Sequence, residues 1–250
     1  MVDLNTDPVV WVNHGEEIPV LHWNSRASVF SFENVLLLSL INVKMSMSLL
    51  NPYLDLSRPI TKTGHHLPHW HQDNKTQFVT FRLADSLPQS VLRELKKLRS
   101  NFFDEHPLPW DKELKSLYNG IISEKQQYFL DQGLGSCILK IPEIRQMLVE
   151  SIEFYNEKKY KLISYVIMPN HVHILFSLIP PYSTDTIIGN IKRYSSIRIN
   201  KETGNVGNKL WAENYWDTLI RSYRHLSQVI NYIEQNPSFL SKSDYYLFSV

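Results

Sequence analysis

The chain has little of what several common protein classes require. Cys137 is its only cysteine among 250 residues, which excludes an internal disulfide and a cysteine-based zinc site. A metal ion would therefore be held by histidine, carboxylate or amide groups. The formal net charge of +1 does not by itself indicate nucleic-acid binding, so any basic surface must be local.

Long hydrophobic runs and glycine are also scarce. The apolar run Val35–Val43 (VLLLSLINV) is about half the length that a membrane-spanning helix needs. With eight glycines and 43% apolar side chains, the chain has enough material for a sizeable core. We therefore expect a globular, cytoplasmic protein that does not associate with a membrane.

The first 60 residues differ from the remainder of the chain. The stretch MSMSLLNPYLDLSRP, at the end of this region, has neither a helical nor a strand period. We expect residues 1–60 to form an N-terminal extension, and one explanation for it is that translation begins at Met45 or Met47. Residues 61–250 are predicted to form the main domain.

Periodicity in the main domain predicts its secondary structure. Alternating apolar and polar residues in QFVTFRL indicate a strand, whereas apolar residues at helical spacing indicate helices. The predicted order is a strand at 77–83, a basic amphipathic helix after Pro88, a helical insertion around 100–135, a helix at 141–155, two strands within 160–178, and helices at 187–199 and 226–235. This order predicts an α+β fold in which helices pack on a small sheet.

Two histidines interrupt the most apolar strand. In the segment MPNHVHILF, His171 and His173 share one face, while Val172 points to the opposite face and into the core. Polar rings in such a strand cost free energy unless a partner satisfies them. The pair is suited to joint binding of one metal ion. The alternative is that each histidine is simply hydrogen-bonded on the sheet surface.

The last predicted helix offers a third ligand and a reactive group. Tyr232 and Asn236 are four residues apart and therefore lie on one helical face. An amide oxygen is a suitable ligand for Mg²⁺ or Mn²⁺, and a tyrosine hydroxyl can act as a nucleophile. Alternatively, Tyr232 packs in a core and Asn236 caps the helix end.

Four segments, in this order along the chain, resemble the single-tyrosine HUH transposases, and specifically the REP-associated tyrosine transposase branch. They are LPHWHQ…QFVTFRLADSLP at Leu67–Pro88, MPNHVHILF at Met168–Phe176, LWAENYWDTLIR at Leu210–Arg221, and YIEQNP at Tyr232–Pro237. The resemblance extends from Gly64 to the C-terminus. It implies an HUH endonuclease fold, which is an antiparallel sheet with helices on its faces, related to the ferredoxin-like and RNA-recognition folds.

The resemblance also implies a function in DNA transposition. It makes His171, His173 and Asn236 the ligands of Mg²⁺ or Mn²⁺, and Tyr232 the nucleophile. The expected activity is metal-dependent nicking and rejoining of single-stranded DNA beside hairpin or palindromic elements, through a 5′-phosphotyrosine intermediate. The resemblance also implies that the protein is a monomer or a homodimer.

Basic residues near the motifs are candidates for DNA contacts, because charge and stacking surfaces together bind single strands. They are Lys192, Arg193, Arg198, Arg221 and Arg224. Two other functions remain open. One is a non-catalytic or domesticated hairpin-DNA-binding protein of the same fold. The other is a metal hydrolase in which Glu213 or Asp217 provides the acidic partner.

Overall fold

A computed structural model of the chain describes residues 51–63 and 69–250. Most of the predicted N-terminal extension lies outside these residues. Its described end is joined to the main sheet, since the Leu54 amide donates to the Ile220 carbonyl at 2.8 Å and the Thr76 amide donates to the Pro52 carbonyl at 2.8 Å. The boundary at residue 60 stays a prediction.

The described residues form seven strands and five α-helices. The strands are β1 (Thr61–Thr63), β2 (His69–His71), β3 (Thr76–Arg82), β4 (Tyr160–Ile167), β5 (His171–Leu178), β6 (Trp216–Leu219) and β7 (Tyr246–Ser249). The helices are α1 (Gln89–Glu105), α2 (Lys112–Asp131), α3 (Pro142–Glu153), α4 (Thr184–Glu202) and α5 (Tyr223–Gln235). Short 3₁₀ helices lie at Ile138–Lys140, between α2 and α3, and at Asn236–Phe239 and Lys242–Asp244, after α5. No helix in this part of the chain has the length and apolar character to span a bilayer.

The main sheet has five strands in the order β6-β3-β5-β4-β7, and every neighbouring pair is antiparallel. Along the chain, α1 to α3 connect β3 to β4, and α4 connects β5 to β6. Strand and helix order therefore follows the β-α-β-β-α-β pattern of ferredoxin-like folds, with β7 added at one edge. The predicted α+β fold with an antiparallel sheet is confirmed. Strands β1 and β2 form a separate two-stranded sheet.

The two faces of the main sheet pack against different helices. Residues such as Val79 and Val172 point to one face, where they are fully buried with apolar residues of α3 and α4, including Leu148. The opposite face places Phe78 against Ile233 of α5. Val172 therefore points into a core, as the sequence predicts, and its neighbouring histidines point to the α5 side.

A tight connection between β4 and β5 fixes the position of His171. The sequence Met168-Pro169-Asn170 breaks the apolar run, and the Met168 amide donates to the His171 carbonyl at 2.9 Å. The Asn170 carbonyl accepts from the amide of Leu83, just beyond β3, at 2.9 Å. The segment 165–178 is therefore the end of one strand and all of the next, joined as a hairpin.

Helices α1 and α2 form a helical hairpin that covers the sheet end near this connection. Its own apolar cluster includes Leu95 of α1 with Phe129 and Leu130 of α2. Asp111 caps α2, since its side chain accepts from the Leu114 amide at 2.7 Å. This packing brings the C-terminal turn of α2 beside His171.

Candidate active site

The two histidines of β5 converge at their outer ring atoms. His171 Nε2 and His173 Nε2 are 3.1 Å apart, and both side chains are buried. The two nitrogens are close enough together that one ion could contact both.

Hydrogen bonds at the inner ring atoms orient both imidazoles. His171 Nδ1 donates to Asn170 Oδ1 at 2.7 Å, which leaves Nε2 of the neutral ring with a lone pair. His173 Nδ1 is 2.7 Å from Thr80 Oγ1, a hydroxyl that can accept this proton. Both rings can thus present an unprotonated Nε2 to an ion, and such partners usually hold a metal-binding histidine in place.

Burial also favours the neutral form of these rings. Burial lowers the pKa of His171 to about 3, and it lowers the pKa of His173 far below its usual value, with a further contribution from His171. Metal ions bind the neutral imidazole, so these histidines are ready to act as ligands at neutral pH.

Helix α5 brings Tyr232 and Asn236 to the same place. The Tyr232 hydroxyl is 3.4 Å from His173 Nε2, and its ring packs edge-on against His173 with the centroids 5.2 Å apart. Asn236 follows one turn later as the C-cap of α5. The predicted four-residue spacing therefore places the Asn236 side chain next to Tyr232, with which it interacts.

Asn236 carries an unsatisfied polar atom. Its Oδ1 is buried and has no hydrogen-bond partner among the described residues, although such atoms are nearly always paired. No three histidine, cysteine or acidic side chains in residues 51–63 and 69–250 converge as a metal site. Two imidazole nitrogens and this amide oxygen are a donor set that fits a divalent ion, so the residues present agree with the expected metal.

Two side chains from the end of α2 complete the surroundings. Gln127 Nε2 lies 3.5 Å from His171 Nε2 and donates to Asp131 Oδ1 at 2.7 Å. Burial raises the pKa of Asp131 to about 6. Burial also raises the pKa of Tyr232, the charge of Asp131 raises it further, and Asn236 lowers it. The free phenol is therefore protonated at neutral pH.

The sequence analysis does not predict four residues that the structure places around the histidine pair. They are Asn170, Thr80, Gln127 and Asp131. Asn170 Nδ2 donates to the carbonyls of Leu130 at the end of α2 and of Leu134 just beyond it, both at 3.1 Å, which ties His171 to this helix. The only sequence signal for Asn170 is its position directly before His171. Thr80 reaches the site through strand pairing, and the two α2 residues reach it through helix packing, so local spacing gives no signal for them.

Lys192, one of the predicted DNA contacts, has another role in the fold. Its Nζ donates to three backbone carbonyls, those of Ala212, Glu213 and Asn214, at 3.0, 3.0 and 3.2 Å. Those bonds use all three donors of the ammonium group. Burial lowers the pKa of Lys192 to about 8. This side chain holds the loop that leads into β6.

The other four predicted contacts lie away from the histidine pair. Arg193 and Arg198 are exposed on α4, which packs on the opposite face of the sheet, and Arg198 pairs with Glu150 at 2.7 Å. Arg221 precedes α5 and Arg224 lies in its first turn, about two helical turns from Tyr232. The role of these four residues in DNA binding stays a prediction.

The acidic residues of the hydrolase alternative do not reach the histidines either. Asp217 pairs in register with Val79, so its side chain points to the α3–α4 face of the sheet, where it bonds His69. The side chain of Glu213 is 84% exposed and lies beside Lys209. The geometry gives the His171–His173 pair a tyrosine and an amide as partners instead.

Comparisons with known proteins show what the chain is similar to. A model of the family described as IS200-like transposases matches residues 140–236, less than half of the chain. No curated protein matches the sequence. One similar solved structure is a REP-associated tyrosine transposase bound to a REP hairpin, with 14% identity, a TM-score of 0.43, and coverage of 71% of this chain and 73% of that chain.

Another similar structure is a candidate transposase from Deinococcus radiodurans R1, with 15% identity, a TM-score of 0.28, and coverage of 70% of this chain and 98% of that chain. Both structural likenesses are too weak to carry an argument. The family match is more informative, because its segment contains His171, His173, Tyr232 and Asn236. Residues 140–236, which carry these four predicted site residues, are therefore similar to the IS200-like transposase family.

Proposed function

We propose that the protein is a metal-dependent transposase that nicks and rejoins single-stranded DNA through a covalent bond to Tyr232. One observation carries the proposal: β5 and α5 bring the Tyr232 hydroxyl to a pair of neutral imidazoles, and the unsatisfied amide oxygen of Asn236 belongs to the residue beside Tyr232. Structural histidines do not require this combination, whereas attack by a tyrosine on a metal-bound phosphate does.

Each residue has a defined task in this reaction. His171, His173 and Asn236 would hold Mg²⁺ or Mn²⁺, which when bound neutralises charge on the scissile phosphate and lowers the pKa of the nearby phenol. The Tyr232 oxygen loses its proton and forms a bond to phosphorus. The bond from phosphorus to the 3′-oxygen breaks, and that oxygen leaves with a proton. The products are a 5′-phosphotyrosine and a free 3′-hydroxyl.

Rejoining is the same reaction in reverse. The phosphotyrosine is a phosphodiester like the bond that was broken, so a second 3′-hydroxyl can attack it without an external energy source. Asp131 lies near enough to raise the pKa of Tyr232, and its own raised pKa suits a group that exchanges protons near neutrality.

The substrate class follows from the resemblance of the sequence motifs. We propose single-stranded DNA with hairpin or palindromic elements as the partner, and DNA transposition and recombination by a mobile element as the process. The monomeric or homodimeric state and the cytoplasmic location stay predictions. A domesticated protein that binds hairpins without cutting them remains the alternative function.

Detection of a covalent protein–DNA adduct tests the proposal. The wild-type protein is incubated with hairpin-bearing single-stranded oligonucleotides from the flanks of its own gene, with Mn²⁺ or with a chelator. We expect an adduct that requires Mn²⁺ and that disappears in Tyr232→Phe. Tyr223→Phe is the matched control, because Tyr223 lies on the same helix and is 72% exposed.

Two results would contradict the catalytic proposal. One is the absence of an adduct from the wild-type protein under every metal condition, and the other is an adduct formed by Tyr232→Phe. If the wild-type protein binds the hairpin and forms no adduct, the non-catalytic alternative is correct.

A further inference from the structure

A pocket of about 350 Å³ lies beside the histidine pair, between the sheet and α1. It shares two residues with the site. Thr80 lines the pocket and also bonds His173, while Leu130 lines it and accepts from Asn170. The pocket is therefore directly adjacent to the place where the scissile phosphate would lie.

The pocket is lined by three cationic side chains. Lys96 and Arg99 are three residues apart on α1 and therefore lie on one helical face. Arg82 comes from β3, where it pairs in register with His171. Its guanidinium donates to two neutral oxygens, the Leu83 carbonyl and the Ser86 hydroxyl, both at 3.2 Å.

Acidic groups do not balance this charge. Glu213 is the only carboxylate among the lining residues, and it is solvated and placed 3.7 Å from Lys209. Within residues 51–63 and 69–250, no ion pair is formed by Lys96, Arg99 or Arg82. The pocket therefore has three cationic side chains and one carboxylate, that of Glu213, which lies beside Lys209 outside the pocket. This excess of positive charge attracts an anion.

An indole ring adds a flat apolar surface to the pocket. Trp216 lines it and pairs in register with Thr80, so both side chains point to the same side of the sheet. The Trp216 side chain is half-buried, which leaves part of it open to a ligand. Cationic groups next to an aromatic surface are the combination that binds a nucleotide of a single strand.

We propose that this pocket binds a nucleotide of the DNA strand next to the scissile phosphate. Arg82, Lys96 and Arg99 hold its phosphate, and Trp216 stacks on its base. The inference rests on the proposed function, because it takes single-stranded DNA as the ligand. It adds the cations of β3 and α1 to the DNA contacts that the sequence predicts.

The test measures binding of a short fluorescein-labelled single-stranded oligodeoxynucleotide by anisotropy, in the presence of a chelator so that no strand is cut. We expect the double variant Lys96→Gln/Arg99→Gln to bind at least about fivefold more weakly than the wild-type protein. The dependence of log affinity on log salt should become shallower by up to about 1.4, since each phosphate contact on a single strand contributes roughly 0.7.

A matched pair of charges on the same helix is the control. Arg93→Gln/Lys97→Gln removes the same net charge from exposed positions of α1 outside the pocket, and we expect less than a twofold change. The inference is overturned if the Lys96/Arg99 variant binds like the wild-type protein. An equal loss in both double variants overturns it too, because that result would indicate diffuse attraction to α1.

Stacking is tested separately. We expect Trp216→Leu, which keeps an apolar side chain, to weaken binding about fivefold or more. Phe154→Leu is the control, since Phe154 is 62% exposed next to α3 on the other side of the sheet and should not change binding. Unchanged binding by a folded Trp216→Leu protein, with its melting temperature recorded, would show that no base stacks there.

The adduct assay separates this inference from the catalytic proposal. If the wild-type protein forms a Tyr232-dependent adduct while the pocket variants bind normally, the pocket inference is wrong and the proposed function stands. If binding depends on the pocket and no adduct forms, the pocket inference stands and the catalytic proposal is wrong.

Discussion

His69 and His71 on β2 repeat the spacing of His171 and His173 on β5, but the two pairs have different neighbours. His69 Nδ1 lies 2.5 Å from Asp217 Oδ1, which forms a buried ion pair when the ring is protonated. His171 Nε2 instead faces His173 Nε2 at 3.1 Å. Among the described residues, neither ring of the β5 pair has an acidic partner.

The acidic partners of the β2 pair also tie elements together. His71 Nε2 lies 3.3 Å from Asp185 Oδ2 at the start of α4, and the Tyr215 hydroxyl donates to the same carboxylate. Tyr215 also stacks on His69, with ring centroids 4.3 Å apart. These contacts fasten β2 to the edge of the main sheet.

The difference shifts the pKa of His69 and of His171 in opposite directions. The hydrogen bond to Asp217 raises the pKa of His69, whereas burial lowers the pKa of His171. A charged histidine paired with a carboxylate stabilises structure, and a neutral buried histidine can bind a metal ion. The His-x-His pattern alone therefore does not identify a metal site.

Removal of one ring from each pair should separate the two roles most strongly. We expect His173→Ala to reduce adduct formation at least about 100-fold, because even a partner behind a metal ligand can contribute a factor of about 10 to 100. His69→Gln should leave the rate of adduct formation within about twofold. Similar rates for these two folded variants would contradict the distinction.

The residue that orients His171 should have the next largest effect. We expect Asn170→Ala to weaken Mn²⁺ binding about 10- to 100-fold, because His171 loses the acceptor that fixes its tautomer. Titration calorimetry measures this affinity. Asn156→Ala is a matched control, since Asn156 Oδ1 accepts from a backbone amide, that of Leu162, far from the histidines. Equal Mn²⁺ affinity in the Asn170 variant and the wild-type protein would show that Asn170 does not act on the site.

His69 and His171 should also make opposite contributions to the pH dependence of stability. The folded pKa of His69 is raised, so its contribution is complete below the unfolded value of about 6.5 and is lost as pH rises through the folded pKa. The folded pKa of His171 is lowered, so its contribution is complete above about 6.5 and is lost as pH falls toward the folded value.

Urea unfolding in the presence of a chelator, at a series of pH values, tests this sign. We expect His69→Gln to remove the loss of stability on the alkaline side of pH about 6.5, relative to the wild-type protein. The loss on the acidic side should remain. An unchanged alkaline limb in His69→Gln would mean that the Asp217 pair contributes no pH-dependent stability.

The smallest effect is expected at the outer contact of the β2 pair. Asp185 is 48% exposed, and its pair with His71 is therefore screened by solvent. We expect Asp185→Asn, which keeps an acceptor for Tyr215, to lower the free energy of unfolding by at most about 1 kcal/mol. Thermal unfolding gives the value, and a loss several times larger would make this contact a main support of β2.

Much of the fold could be predicted because it depends on local periods. Alternation located β3 as 77–83 where the strand is Thr76–Arg82, and helical spacing located α5 as 226–235 where the helix is Tyr223–Gln235. The predicted positions of the helix ends were less accurate, because a capping residue extends a helix beyond its apolar stripe. Ser222 is an example, since its side chain accepts from the His225 amide. The order of elements was enough to predict an α+β fold.

The sequence by itself determined the geometry within each element. A two-residue spacing on a strand puts His171 and His173 on one face, and a four-residue spacing on a helix does the same for Tyr232 and Asn236. Only the tertiary structure brought these two faces together.

Tertiary structure also decided that His171 and His173 have a lowered pKa. Asp217 bonds His69, although the two residues are 148 positions apart in the sequence. It lies on the opposite face of the sheet from His171. Gln127 and Asp131 join the site from a separate helix in the same way. Burial and the sign of neighbouring charges set a pKa, and both depend on residues that are distant in the sequence.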